Sequence, residues 1–136
     1  MRAKRLVVNV DGGARGNPGP AAVAAVLATP EGDVVDEVGQ AIGPATNNVA
    51  EYRAVLLGIE RARALGASEV ELIGDSELVV RQVRGEYKVK DAELRKLYAR
   101  VVRELAELDE WSIRHVPREQ NAAADTLVNA ALDDAA

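Results

Sequence analysis

The sequence contains no cysteine and no phenylalanine, and only one histidine, one tryptophan and one methionine. Without cysteine there is no disulfide and no thiolate metal site, which fits a reducing cytoplasm. The missing phenylalanine leaves a core built mainly from Ala, Val and Leu. No apolar run approaches the length of a membrane span. No signal-peptide core is visible either, because the stretch from Met1 to Arg5 leads directly into a short strand. Positive charge is also in deficit: 17 Lys and Arg face 22 Asp and Glu, for a net charge of −5. That excludes a protein that holds nucleic acid by bulk positive charge, but not one that binds locally through metal ions and a few arginines.

What is present suits one globular domain. The chain has 136 residues, 48% of them apolar, and a chain of that length can bury roughly two-thirds of its unfolded surface. The stretch V-V-N-V-D-G-G-A-R-G-N-P-G-P, residues 7–20, organises the reading. Val8 and Val10 alternate with Val7 and Asn9, which predicts a strand over residues 4–10 that delivers Asp11 to its end. A tight Gly/Pro turn follows at once. Residues 21–29 read as a second strand, P-E-G-D as a turn, and residues 34–42 as a third, more polar strand near a sheet edge. Their short connections predict an antiparallel meander.

The hydrophobic period then changes. Tyr52, Val55, Leu56 and Ile59 fall at helical spacing within residues 48–65, with Asn47 or Asn48 as the cap, Glu51 in a capping box and Gly66 as the stop. Residues 69–74 read as a strand ending at Asp75, and residues 76–84 as a short helix. A loop, G-E-Y-K-V-K, follows. Asp91 caps a long helix with a stripe of Leu94, Leu97, Tyr98, Val101, Leu105 and Leu108. Residues 111–116 form a last strand, stopped by Pro117, and Asn121 opens a last helix with Ala124, Leu127, Val128 and Ala131 on one side. The terminal L-D-D-A-A reads as a frayed tail, or as the start of a linker to a further, fused C-terminal domain. The predicted class is α/β: three antiparallel strands, then strands and helices alternating through right-handed parallel crossovers.

In that topology Asp11 and Asp75 leave parallel neighbouring strands at the same sheet edge, where open α/β sheets place their ligands. Glu51 stands near the start of the helix between them. Asp125 lies near the start of the last helix, three residues before the inward Val128. Singly, each has a structural explanation: Asp75 as a helix cap, Glu51 in its capping box, Asp125 at a positive helix end. Together they form a quartet of carboxylates that raise one another's pKa unless cations intervene. An all-oxygen site suits Mg²⁺ or Mn²⁺ rather than zinc. Two such ions about 4 Å apart can activate a water and stabilise the leaving oxygen of a phosphodiester.

The segments D-G-G-A-R-G-N-P-G-P (11–20), T-N-N-V-A-E-Y (46–52), D-S-E-L-V-V (75–80) and N-A-A-A-D (121–125) together resemble the ribonuclease H family, type 1, over essentially the whole chain. The resemblance implies a ribonuclease H-like fold, a five-stranded mixed sheet flanked by helices. It implies metal-dependent endonucleolytic cleavage of the RNA strand of an RNA–DNA hybrid, leaving a 3′-hydroxyl and a 5′-phosphate. Carried over residue by residue, Asp11, Glu51, Asp75 and Asp125 become the catalytic ligands of two Mg²⁺ or Mn²⁺ ions, with Glu51 also near a ribose 2′-hydroxyl. Thr46 and Asn47 resemble a pocket for a DNA-strand phosphate, and Asn17 and Asn48 lie in matching backbone-contacting motifs. Reading of 2′-hydroxyls and backbone shape implies weak sequence preference. We expect a monomer.

Two departures from the family pattern stand out. Many members carry a flexible loop with a catalytic histidine before the last helix. Here the link is P-R-E-Q, and the sole histidine, His115, lies upstream in the strand W-S-I-R-H-V. A gap-free count from Asp125 puts His115 at a plausible distance for that histidine. Its alternation with Trp111 and Ile113 reads instead as a packed strand residue. Arg118 is then the better candidate for assisting the leaving group or a phosphate, against the alternative of a solvated loop arginine. The second departure is the missing basic helix and loop that grip the hybrid in some relatives. Only Arg84, Lys88 and Lys90 remain, around Gly85 and Tyr87, so binding should be strongly salt-dependent. The rival readings are a same-fold nuclease of other nucleic-acid structures, a non-catalytic hybrid-binding module and a pure interaction domain.

Overall fold

The computed structural model describes residues 4–136; Met1–Ala3, part of the stretch judged for a signal peptide, lies outside the described residues. Three strands, β1 (Arg5–Ala14), β2 (Gly19–Ala28) and β3 (Val34–Ala45), form the antiparallel meander. Helix α1 (Asn47–Ala64) leads to β4 (Glu69–Gly74), which runs parallel to β1. Helices α2 (Glu77–Val83) and α3 (Ala92–Ala106) lead to β5 (Glu110–His115), parallel to β4. A short 3-10 turn, Arg118–Asn121, precedes α4 (Ala122–Ala135). The sheet order β3-β2-β1-β4-β5 puts β1 in the centre and the polar β3 at an edge, as its sequence implied.

Period-2 patterning explains the core. Leu6, Val8 and Val10 of β1 are buried on the face that α1 covers with Tyr52, Val55 and Ile59. Gly58 lets that helix lie close, since a Cβ there would stand 2.8 Å from Val10 Cγ1 and 2.9 Å from Val8 Cγ1. On the other face, Val128 and Leu132 of α4 pack on Ala22 and Ala24 of β2.

Several boundaries differ from the sequence expectation for local reasons. Strand β1 does not stop before Asp11. It continues to Ala14, with Asp11 opposite Ala24, because the ladder to β2 carries it through Gly12 and Gly13. The cap of α1 is Thr46, whose hydroxyl accepts from the Val49 amide at 3.2 Å, rather than Asn47 or Asn48. Glu51 therefore falls beyond the first turn and forms no capping box. Ser76, not Asp75, caps α2. The expected frayed tail is helical to Ala135, and Asp133 there pairs with Arg15 of the β1–β2 turn at 2.7 Å.

Candidate active site

Parallel pairing of β1 and β4 runs to Asn9 opposite Ile73, so Asp11 and Asp75 stand side by side two residues beyond it. Asp11 is buried within β1, and Asp75 follows directly on β4. Glu51 enters from α1, and its Oε1 accepts from the Gly12 amide at 3.4 Å. Gly12 is required for this approach: a Cβ there would lie 2.3 Å from the Ala50 carbonyl oxygen and 2.8 Å from the Glu51 amide nitrogen. The result is that carboxylate oxygens of Asp11, Glu51 and Asp75 all lie within 4.8 Å of one another.

Such crowding perturbs the acids. Burial, then the negative charges of Asp75 and Asp125, push Asp11 up to about 7. Burial, followed by Asp11 and Asp75, holds Glu51 well above the usual carboxylate range despite relief from the Gly12 N–H. A cluster in which two acids resist ionising is one that favours a cation able to neutralise them.

Asp125 projects from the first turn of α4 into the same cleft, of about 380 Å³. It is half-buried and near enough to raise the pKa of Asp11, but it stands outside the 4.8 Å trio. Its Oδ1 accepts from the Arg118 guanidinium at 3.2 Å. Arg118 thus lines the cleft through this ion pair while its side chain stays largely exposed.

Sequence reasoning placed Asn121 at the start of α4 but missed what its side chain does. It makes no cap; it is buried, accepts from the Asn9 amide at 3.0 Å and donates to the Val10 carbonyl at 2.8 Å. The available signal was Asn9 itself, a polar residue in the central strand V-V-N-V-D that needs a partner.

The Asn pair at the rim interlocks two elements. Asn17 Oδ1 accepts from the Asn47 amide at 2.9 Å, and Asn47 Oδ1 accepts from the Ala14 amide at 2.9 Å. Both side chains thereby spend their acceptors inside the protein, and each keeps its NH₂ group as an outward donor. Thr46 and Asn48 are half-buried beside them.

The expected packing of His115 is not observed. It is exposed at the end of the edge strand β5, and it does not line the acidic cleft. Arg84, Lys88 and Lys90 are exposed around α2, with Arg84 paired to Glu86 at 3.0 Å.

Comparison with known proteins agrees with this geometry. A family model described as "Reverse transcriptase-like" matches residues 9–131. The ribonuclease HI of Halobacterium salinarum is 48% identical over 134 residues, 98% of this chain and 67% of that protein. The crystal structure of the RNase H1 from that archaeon superposes with a TM-score of 0.94 over 96% of this chain and 98% of that one. A bifunctional protein of Mycobacterium tuberculosis is 46% identical over 97% of this chain, which spans only 36% of that protein. The structure of its N-terminal RNase H domain gives a TM-score of 0.95 at 45% identity, over 98% of this chain and 96% of that one. An RNase H1 isolated from compost and crystallised with an RNA/DNA hybrid gives 0.92 at 42% identity, over 96% and 98% of the two chains.

Proposed function

Because this chain belongs to the ribonuclease H family, type 1, we propose that it cleaves the RNA strand of RNA–DNA hybrids with two divalent cations, leaving a 3′-hydroxyl and a 5′-phosphate. The observation that carries this reading is the convergence of Asp11, Glu51 and Asp75 within 4.8 Å at the open end of the central parallel pair.

The donor set fits Mg²⁺ or Mn²⁺. It offers carboxylate oxygens alone, without a nitrogen or sulfur ligand, and two of its members are strained by unneutralised charge. Asp11, Glu51 and Asp75 would hold the ions, with Asp125 completing the set. When bound there, divalent cations supply positive charge beside the scissile phosphate and lower the pKa of an attacking water.

The remaining work falls to the chain's own side chains. Glu51 accepts from the ribose 2′-hydroxyl beside the scissile bond, which separates RNA from DNA at that position. Arg118, held on Asp125, turns its other guanidinium donors toward the phosphate and the departing oxygen. The NH₂ groups of Asn17 and Asn47, with Thr46 and Asn48, donate to backbone phosphates and fix the register of the duplex. None of these groups reads a base edge, so sequence preference is weak. We place the activity in the cytoplasm and in a monomer.

The test is cleavage of an end-labelled hybrid by the wild-type protein and by Asp75→Asn, with Mg²⁺ and with EDTA. Mg²⁺-dependent products with 5′-phosphate ends, lost in EDTA and nearly abolished in a folded Asp75→Asn variant, are expected. Binding without cleavage would establish a non-catalytic module instead. Preferential cutting of another nucleic-acid structure would favour a related nuclease of the same fold.

A further inference from the structure

Two buried polar side chains lie outside the acidic site. Tyr52 is fully buried and Gln82 is 5% exposed. The Tyr52 hydroxyl donates to Gln82 Oε1 at 2.6 Å. This turns the Gln82 amide nitrogen the other way, where it donates to the backbone carbonyl of Lys88 at 3.3 Å. An aliphatic pair would fill the same space without the roughly 1–3 kcal/mol penalty that attends any buried polar group left unpaired. The pair therefore calls for a role beyond filling the core.

That role is legible in the loop it reaches. The carbonyl of Lys90 is held in the same manner by the Arg95 guanidinium, at 2.8 Å. Between the two clamped carbonyls, Val89 packs against the core. Nearby, Arg81 and Arg84 both pair with Glu86, at 2.8 and 3.0 Å, and Arg81 lies over the Tyr87 ring. Lys88 and Lys90 are exposed and have no ion-pair partner among the described residues. The backbone is thus fastened at two carbonyls while both lysines stay exposed without an ion-pair partner among the described residues.

We propose that Gln82 is a positioning residue for substrate binding: with Tyr52 it fixes the 86–90 loop so that Lys88 and Lys90 meet a duplex backbone as a preset pair of phosphate contacts. The proposal rests on the hybrid-cleaving reading above. Its physical advantage is that a loop already ordered does not lose that entropy again on binding. Tyr52 also follows Glu51 directly in α1, so the lysine loop and a catalytic carboxylate are referenced to one rigid helix.

The experiment compares wild type, Gln82→Met, Tyr52→Phe and Lys88→Ala/Lys90→Ala. Methionine keeps the volume and removes both hydrogen bonds. Hydrogen exchange of the metal-free protein, without nucleic acid, should speed up at amides 86–90 in Gln82→Met and leave the α1 amides unchanged. On a hybrid, Gln82→Met should raise KM about fivefold with kcat within about twofold, because the loosened phosphate contacts are made equally in the ground and transition states. Its salt dependence should become shallower by roughly one to two phosphate contacts. Adding the lysine substitutions to Gln82→Met should produce less than the sum of the separate effects. Unchanged loop exchange, a fall in kcat at constant KM, or strict additivity with the lysine variant would each overturn the proposal. If Gln82→Met does not fold, Tyr52→Phe, which keeps the Lys88 bond but frees the amide to rotate, carries the same exchange and KM readouts. A wild-type protein inactive on hybrids would refute the nuclease reading, while the exchange data would still decide whether Gln82 anchors the loop.

Discussion

Asn121 donates its side-chain amide to the carbonyl of Val10 at 2.8 Å, which fastens the helix bearing Asp125 to the residue immediately before Asp11. The same side chain accepts from Asn9, so one buried amide joins α4 to the central strand twice. Asn121→Ala strands the Asn9 amide and the Val10 carbonyl, each at about 1–3 kcal/mol. Stability should fall by roughly 2–5 kcal/mol in denaturant titration, and Mg²⁺ should bind more weakly by calorimetry. Adding Asn9→Leu should recover part of the stability, since one orphaned donor disappears with it.

The raised pKa of Asp11 makes stability depend on pH in a definite direction. Below its ordinary value of 3.8 the group is protonated in both the folded and the unfolded chain. Between 3.8 and about 7 the unfolded chain has released that proton while the folded one still holds it, so folding loses stability as pH rises through this window. The metal-free protein should therefore melt several degrees higher at pH 5 than at pH 7.5, with Glu51 acting in the same sense. Asp36, held below its ordinary 3.8 by Arg61, acts oppositely but only in more acidic solution. Mg²⁺ should raise the melting temperature more at pH 8 than at pH 5. Asp11→Asn should stabilise the metal-free protein at pH 7.5 and remove most of the response to Mg²⁺.

Gly12→Ala should be among the most damaging single-methyl additions in this protein. The added Cβ would meet backbone atoms of Ala50 and Glu51, at 2.3 and 2.8 Å, and neither can swing aside. Helix α1 must shift off the sheet, at a cost of about 3 kcal/mol or more. Activity should fall further than the unfolded fraction explains, because Glu51 moves with the helix. Gly13→Ala is the control: a Cβ there meets nothing within 4 Å, and stability should change by less than about 1 kcal/mol. Thermal melts and single-turnover rates measured side by side check both.

Arg118 and His115 make opposite predictions. Arg118→Ala should lower the single-turnover rate by roughly 10–100-fold, in keeping with loss of a charged donor near the reacting phosphate, and Arg118→Lys should restore part of it. His115→Ala should leave the rate within about twofold, since its side chain is outside the cleft. A deep loss in His115→Ala would reassign the proton-handling group.

The elements most readable from sequence were those with a strong period. The stripe of α3 and the alternation of β1 located core residues correctly, because burial of Leu94, Val101, Leu105, Val8 and Val10 is imposed by geometry on a regular backbone. The shared edge for Asp11 and Asp75 followed from the parallel pairing that an intervening helix requires. Boundaries fared worse where a choice between neighbouring polar groups was decided by long-range contacts. Thr46 took the cap because the Asn47 side chain is engaged with the Ala14 amide of β1. His115 was expected to pack by alternation with Ile113, but it is the last residue of an edge strand and stays exposed, so alternation alone did not bury it. Asn121 and Gln82 were opaque for another reason: a buried amide declares its role only through partners more than a hundred residues away for Asn121, and on a different helix for Gln82.

Asp11 sits inside the β1–β2 ladder opposite Ala24, not on a loop. An unmetallated molecule therefore has no slack through which its crowded acids can drift apart. It can quiet their mutual repulsion only by taking up protons or cations from solution. A divalent cation bound there would therefore act on the whole scaffold as well as on the proposed catalysis, and a chain held in ion-poor, mildly alkaline surroundings would be softer throughout, not merely idle.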